Sequence, residues 1–241
     1  MFRERHVAAV VPAYNEERLI AGVIRNMPPL VDHIIVIDDK SLDGTAAVAE
    51  ALDEPRVVLI RHAENQGLGG ALVSGYKRAL SLHADLVVVM AGDDQMDPRY
   101  LPDLLEPLCD GRAEATKGNR FYSWSSLRAM PKHRVFGSLI LTWLTRIASG
   151  HRHLADSQNG YVAFTAATLE KVRLGSLSHG YSVENAMLIE LGRVHARVID
   201  VPIPARYGSE TSKMRLLRDG PAILGTILTG VAQRITRSSR R

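Results

Sequence analysis

Three apolar, β-branched runs in the first 90 residues each stop at a polar loop and give way to a helical pattern, and few folds accommodate that repeat. The runs cover residues 6–12, 33–38 and 85–90, with a fourth at 56–61. They are continuous rather than alternating, which suits strands buried on both faces. Residues 16–27, 43–53 and 68–82 between them read as helices. Strand–helix alternation predicts a parallel sheet with right-handed crossovers, so the loops that follow the strands gather at one edge, where such sheets bind ligands. Those loops are Pro12-Ala13-Tyr14-Asn15-Glu16-Glu17, Asp38-Asp39-Lys40-Ser41-Leu42-Asp43-Gly44-Thr45 and Gly92-Asp93-Asp94-Gln95-Met96-Asp97-Pro98. Together they predict one shared site.

The second half is less regular. Residues 99–109 read as a helix opened by Pro98 with Asp97 as N-cap. Residues 114–120 read as extended, 161–165 and 196–201 as strands, and 183–195 as a helix. Residues 135–147 place Phe136, Leu139, Ile140, Trp143, Leu144 and Ile147 at helical spacing. That pattern describes either a core helix or one lying in a membrane interface. Residues 222–232 are apolar but too short to span a bilayer, and no other stretch is long enough. The charged start, residues 1–6, is unlike a signal peptide.

A chain of 241 residues, 46% hydrophobic, is expected to form one large α/β domain over residues 1–215, followed by a basic and apolar tail at 216–241. Cys109 is the single cysteine, which excludes an intrachain disulfide and fits a reducing, cytoplasmic compartment. Residues 206–241 hold eight Arg/Lys against Glu210 and Asp219, and residues 112–152 hold eight against Glu114. Such segments suit phosphates and anionic surfaces. Aromatics are 5% with no stacking platform, which argues against nucleic acid.

The acidic turn has two readings. Asp93 and Gln95 would share a face of an extended segment and offer hard oxygens to Mg²⁺ or Mn²⁺, with a diphosphate supplying further oxygens; alternatively the turn is simply solvated. One acid of the Asp38-Asp39 pair suits a ribose hydroxyl or a base N–H. Asn15, Ser41 and Asp43 read as helix caps, and Tyr14 as a base flank or as packing. Gly67-Leu68-Gly69-Gly70 is a weak phosphate-loop pattern, because it lacks the Lys-Ser/Thr of a Walker loop. His151 and His153 read as surface or phosphate-adjacent residues. Asp156 is the candidate base for a hydroxyl acceptor, or else a structural acid beside Asn159-Gly160.

In their order, these junctions resemble the GT-A glycosyltransferases of family 2, and especially the polyprenyl-phosphate sugar transferases typified by dolichol-phosphate mannose synthase. Gly118-Asn119-Arg120-Phe121, Ser157-Gln158-Asn159-Gly160-Tyr161 and Val201-Pro202-Ile203 leading to Ser212-Lys213 extend the likeness across roughly residues 7–215. The resemblance implies a GT-A fold: one Rossmann-like domain with a mostly parallel sheet flanked by helices, plus interfacial amphipathic helices in the second half. It implies a nucleotide-sugar set of Pro12, Tyr14, Glu16, Asp38, Asp39, Gly92 and Asp93, with Asp93 and Gln95 on a divalent cation, Mg²⁺ or Mn²⁺. It implies that Arg120, Arg134 and Ser138, with Ser212 and Lys213 on a closing loop, grip an acceptor phosphate. Asp93, Arg120, Arg134 and Asp156 become the catalytic candidates. Ala91 departs from the family's Asp-x-Asp.

The expected reaction is inverting transfer of one sugar, from GDP-mannose or a UDP-hexose, to a polyprenyl phosphate at the cytoplasmic face of a membrane. Such a phosphate is already largely anionic near neutral pH, because its second pKa is about 6. Arginines then position it and no general base is required. The alternatives are transfer to a glycan or protein hydroxyl with Asp156 as base, and a non-catalytic nucleotide-sugar binder.

Overall fold

A computed structural model describes residues 1–122, 128, 130, 132–204 and 216–238. Its strands are β1 (Val7–Ala13), β2 (His33–Asp38), β3 (Val57–Arg61), β4 (Leu86–Val89), β5 (Ala115–Asn119), β6 (Val162–Thr165) and β7 (Val198–Pro202). Among the described residues they form one sheet in the order β3-β2-β1-β4-β6-β5-β7. Every neighbouring pair is parallel except those of β6, which runs antiparallel to β4 and β5. The helices are α1 (Ile20–Arg25), α2 (Thr45–Ala51), α3 (Gly67–Ser81), α4 (Leu101–Cys109), α5 (Lys132–Ser149), α6 (Ala166–Lys171), α7 (Val183–Arg193) and α8 (Leu216–Ser238). This is the mixed α/β, mostly parallel architecture that the alternating pattern predicts.

Successive strand residues point to opposite faces, and both faces are covered. Val7, Ala9 and Val11 of β1 pack with Ile20 and Ile24 of α1 and Leu104 of α4. Ala8 and Val10 pack with Leu72 and Tyr76 of α3 and Met187 of α7. Burial on both sides is why these strands read as unbroken apolar runs.

The glycine-rich start of α3 is a packing device. Gly69 N donates to the carbonyl of His179 at 2.7 Å. A Cβ at Gly69 would lie 1.7 Å from the Ser178 carbonyl oxygen, and one at Gly67 would lie 2.5 Å from that of His179. Gly67 also takes φ +73°. Gly69→Ala should therefore lower stability by about 2–3 kcal/mol, the range for overpacking against backbone that cannot yield. A thermal melt within 2 °C of the parent (about 0.5–1 kcal/mol for a domain of this size) would contradict that.

Helix α5 inverts the usual amphipathic arrangement. Thr142, Thr145 and Ser149 are buried, whereas Phe136 and Trp143 are 68% and 60% exposed and Leu139, Ile140 and Ile147 are also exposed. The inward hydroxyls have partners: Thr142 Oγ1 donates to Ser157 Oγ at 3.1 Å and Thr145 Oγ1 to Asn185 Oδ1 at 2.8 Å. Helix α8 packs beside it through the buried Ile223 and Ile227 and leaves Leu224, Leu228 and Ile235 exposed. Among the described residues no helix is long and apolar enough to cross a membrane.

Helix α1 begins later than the sequence predicts. Asn15 does not cap it; it takes φ +53°, its N–H donates to Ser41 Oγ at 3.0 Å, and its Oδ1 accepts from Leu42 N at 2.8 Å. The loop after β1 is thus tied to the loop after β2, and the first helical turn forms only beyond that tie.

Candidate active site

The sheet order reverses between β1 and β4. The chain leaves β1 toward β2 and β4 toward the opposite flank, so a crevice opens at their carboxyl ends. The acidic turn sits there. Gly92 N donates to the Pro12 carbonyl at 3.2 Å, and a Cβ on Gly92 would come within 3.1 Å of that oxygen. Glycine is what lets the turn lie against the end of β1.

The turn is not extended. Asp93 Oδ1 accepts from Gln95 N at 3.1 Å, and Asp94 adopts φ +59°, a left-handed conformation that Asp tolerates. The shared-face argument for Asp93 and Gln95 is therefore corrected, yet both side chains line the same cavity of about 1430 Å³. Asp97 ends the turn as the expected N-cap, accepting from Arg99 N at 3.0 Å.

Pro12, Tyr14 and Glu16 line this cavity too, as do Asp39 and Gly92. Asp39 is held in place: its Oδ1 accepts from Gln66 N at 2.8 Å and lies 2.7 Å from His62 Nδ1. Asp38 is the exception in the nucleotide set. It does not line the cavity, and its buried Oδ1 has no hydrogen-bond partner among the described residues. Consecutive residues at a strand end point apart, so the pair cannot serve one ligand together. Ser41 and Asp43 brace loops instead of capping with Asn15; Asp43 Oδ1 accepts from Thr45 N at 3.0 Å.

Arg120, just beyond β5, enters the cavity from the opposite flank. Asp156 lies behind it with a fully buried side chain. Arg120 Nε donates to Asp156 Oδ2 at 2.7 Å and a terminal nitrogen donates to Oδ1 at 3.0 Å. Both carboxylate oxygens are engaged and the side chain is absent from the cavity wall, a geometry that fits the structural acid and not the base. Ser138 lies on α5 and is not part of the cavity wall. Arg134 lies on the same helix, with a side chain outside the described residues, and Ser212 and Lys213 also lie outside them. His153 is exposed, as expected, but His151 is not a surface residue. His151 is 8% exposed, and burial, with His153 and Arg234 nearby, pulls its pKa down to about 4.

Two cavity residues escaped the sequence reading. Lys117 on β5 is fully buried, and burial draws its pKa down. Glu184, in the first turn of α7, lines the cavity; burial pushes its carboxyl up to about 7 against the opposing pull of Lys117 and Arg120. A lysine inside a strand with buried neighbours was the available signal for the first. Glu184 reads as an ordinary acid at a helix start.

Among the described residues no three His, Cys, Asp or Glu side chains converge on a metal position. Asp93 and Gln95 offer one carboxylate and one amide oxygen, hard donors that fit a divalent cation sharing its remaining positions with a ligand's oxygens.

Comparison with known proteins accords with this geometry. The family model described as glycosyl transferase family 2 matches residues 8–173. The UDP-N-acetylglucosamine–dolichyl-phosphate N-acetylglucosaminyltransferase of Methanococcus voltae is 28% identical over 219 residues, covering 85% of this chain and 87% of the relative. The undecaprenyl-phosphate mannosyltransferase of Micrococcus luteus is 32% identical over 203 residues, covering 82% of each. In fold, the chain is similar to glucosyl-3-phosphoglycerate synthase from Mycobacterium tuberculosis, crystallised with Mn²⁺, UDP and phosphoglyceric acid; the TM-score is 0.72 at 24% identity, over 95% of this chain and 79% of that one. The chain therefore belongs to glycosyl transferase family 2 and is a glycosyltransferase.

Proposed function

We propose that this enzyme transfers one sugar, with inversion, from a nucleotide-diphosphate sugar to a polyprenyl phosphate, working at a membrane surface. The observation that carries the reading is Arg120: a guanidinium anchored on a buried carboxylate and turned into the cavity that also holds the acidic turn. That is a rigid site for a phosphate, which needs orientation and no base. Tyr14, Glu16 and Asp39 line the part of the cavity suited to the nucleoside, and Asp93 and Gln95 would hold a divalent cation, Mg²⁺ or Mn²⁺, whose charge offsets that of the departing diphosphate. The Mn²⁺ and UDP of the solved relative and the polyprenyl-phosphate acceptors named for the sequence relatives support the same assignment. We read residues 1–215 as the catalytic unit, with Arg134, Ser138, Ser212 and Lys213 on its acceptor side.

The outward apolar faces of α5 and α8 support the membrane part. Burying a Phe or Trp side chain contributes about 1.5–3 kcal/mol, so Phe136→Asp with Trp143→Asp should weaken binding to anionic vesicles at least tenfold. Turnover of a water-soluble short-chain acceptor should be unchanged. Vesicle flotation equal to wild type would remove the membrane assignment.

The test of the reaction is a panel of UDP- and GDP-sugars, each with Mn²⁺ or Mg²⁺ and a short-chain polyprenyl phosphate. Formation of glycosyl phosphate with release of nucleotide diphosphate is the expected result. Transfer only to hydroxyl acceptors would replace this reading.

A further inference from the structure

Lys117 is 2% exposed, yet it lines the active-site cavity. Its Nζ donates to the backbone carbonyl of Asn159, in the segment that joins Asp156 to β6. The charged groups that face it come from four places: Glu184 on α7, Asp156 before β6, Asp200 on β7 and Arg120 beyond β5. Asp156 is already engaged by Arg120. Asp200 Oδ2 accepts from Ala155 N at 2.6 Å, and its Oδ1 is buried with no partner among the described residues. A buried ammonium is costly without such company.

Glu184 is the carboxylate of this group that lines the cavity. A Cβ on Gly160 would lie 2.9 Å from Glu184 Oε1 and 3.2 Å from Met96 Cε, so this carboxyl crosses Gly160 toward the acidic turn. Met96 in turn accepts a hydrogen bond at Sδ from Ala91 N at 3.2 Å, and Ala91 itself brings no carboxylate to that side.

We propose that Lys117 is a positioning residue for the transfer: it fixes the Asn159 carbonyl and, by its charge, keeps the Glu184 carboxyl ionised where it accepts a hydrogen bond from a hydroxyl of the bound sugar. This rests on the transferase reading above. Glu184 faces Lys117, Arg120, Asp156 and, from α3, the buried Tyr76, and Lys117 acts on it without touching substrate.

The experiment is kcat/KM for the donor between pH 6 and 9, as the ratio of variant to wild type, so that the acceptor phosphate's own titration cancels. Removing a nearby positive charge raises a carboxyl pKa by about one unit or more. The Lys117→Met ratio should therefore fall about tenfold between pH 9 and pH 6, on top of any pH-independent loss from releasing the Asn159 carbonyl. Lys117→Arg should restore a flat ratio near one. For Glu184→Gln the ratio should run the other way, lowest at high pH, and this variant decides the matter if Lys117→Met does not fold. A Lys117→Met ratio that does not change with pH, or a flat ratio in Glu184→Gln, overturns the proposal while wild-type turnover leaves the transferase reading standing. Absence of wild-type turnover with every donor overturns both.

Discussion

Replacing Asp156 by Ala should cut kcat/KM by about a hundredfold or more and lower the melting temperature by about 5–10 °C. The carboxylate is fully buried; it holds Arg120 through two side-chain contacts and one backbone contact, and its Oδ1 also accepts from Gln158 N at 3.3 Å. Removing one partner of a buried ion pair costs about 3–5 kcal/mol because the other charge is left uncompensated. Arg120 keeps 23% of its side chain exposed and can regain water, so about 2–3 kcal/mol is the better figure here. The kinetic effect has a different source. A guanidinium freed to rotate no longer presents a fixed fork to phosphate, and misplacement by about 1 Å is enough for a hundredfold loss. Acceptor KM and kcat should suffer while donor binding by calorimetry changes little. A variant within threefold of wild type in kcat/KM would show that Arg120 is positioned some other way.

The second large effect is expected at Asp93. Asp93→Ala should abolish the dependence of donor affinity on Mn²⁺ and reduce kcat by about 10²–10³, the usual loss when one electrostatic contact to developing charge is removed. Asp93 also organises its own turn by accepting from Gln95 N, so the alanine variant removes structure along with charge. Asp93→Asn separates the two, because an asparagine oxygen can accept the same hydrogen bond but brings no negative charge. If charge is what matters, Asn should be nearly as impaired as Ala. Calorimetry showing unaltered Mn²⁺-dependent donor affinity in both variants would remove Asp93 from the cation site.

Much of this architecture is visible in short stretches of sequence. The runs at 33–38 and 56–61 coincide with β2 and β3 to within one residue, because β-branched residues between polar loops leave little choice of conformation. Asp97-Pro98 announces its helix start by capping chemistry that involves only neighbours in the chain. The candidate site residues Pro12, Tyr14, Glu16, Asp39, Gly92, Asp93, Gln95 and Arg120 all line one cavity because each closes or follows a strand that ends at the same edge of the sheet. Others were not legible. Asp38 and Asp39 look equivalent until the pleat turns one inward and the other into the cavity. The apolar stripe of α5 looks the same whether it faces a core or solvent, and only the buried Thr142 and Thr145, paired with Ser157 and Asn185, reveal which side is in.

What the chain determined on its own is the set of strands and the loops at their ends, since those depend on side-chain period and on hydrogen bonds between near neighbours. What the tertiary structure decided is which charges meet. Lys117 and Glu184 are separated by most of the second half of the sequence, as are Arg120 and Asp156 by some three dozen residues, and no local rule couples them. They are brought together because β5 and β6 lie side by side and α7 packs across them, and burial then turns proximity into electrostatic coupling.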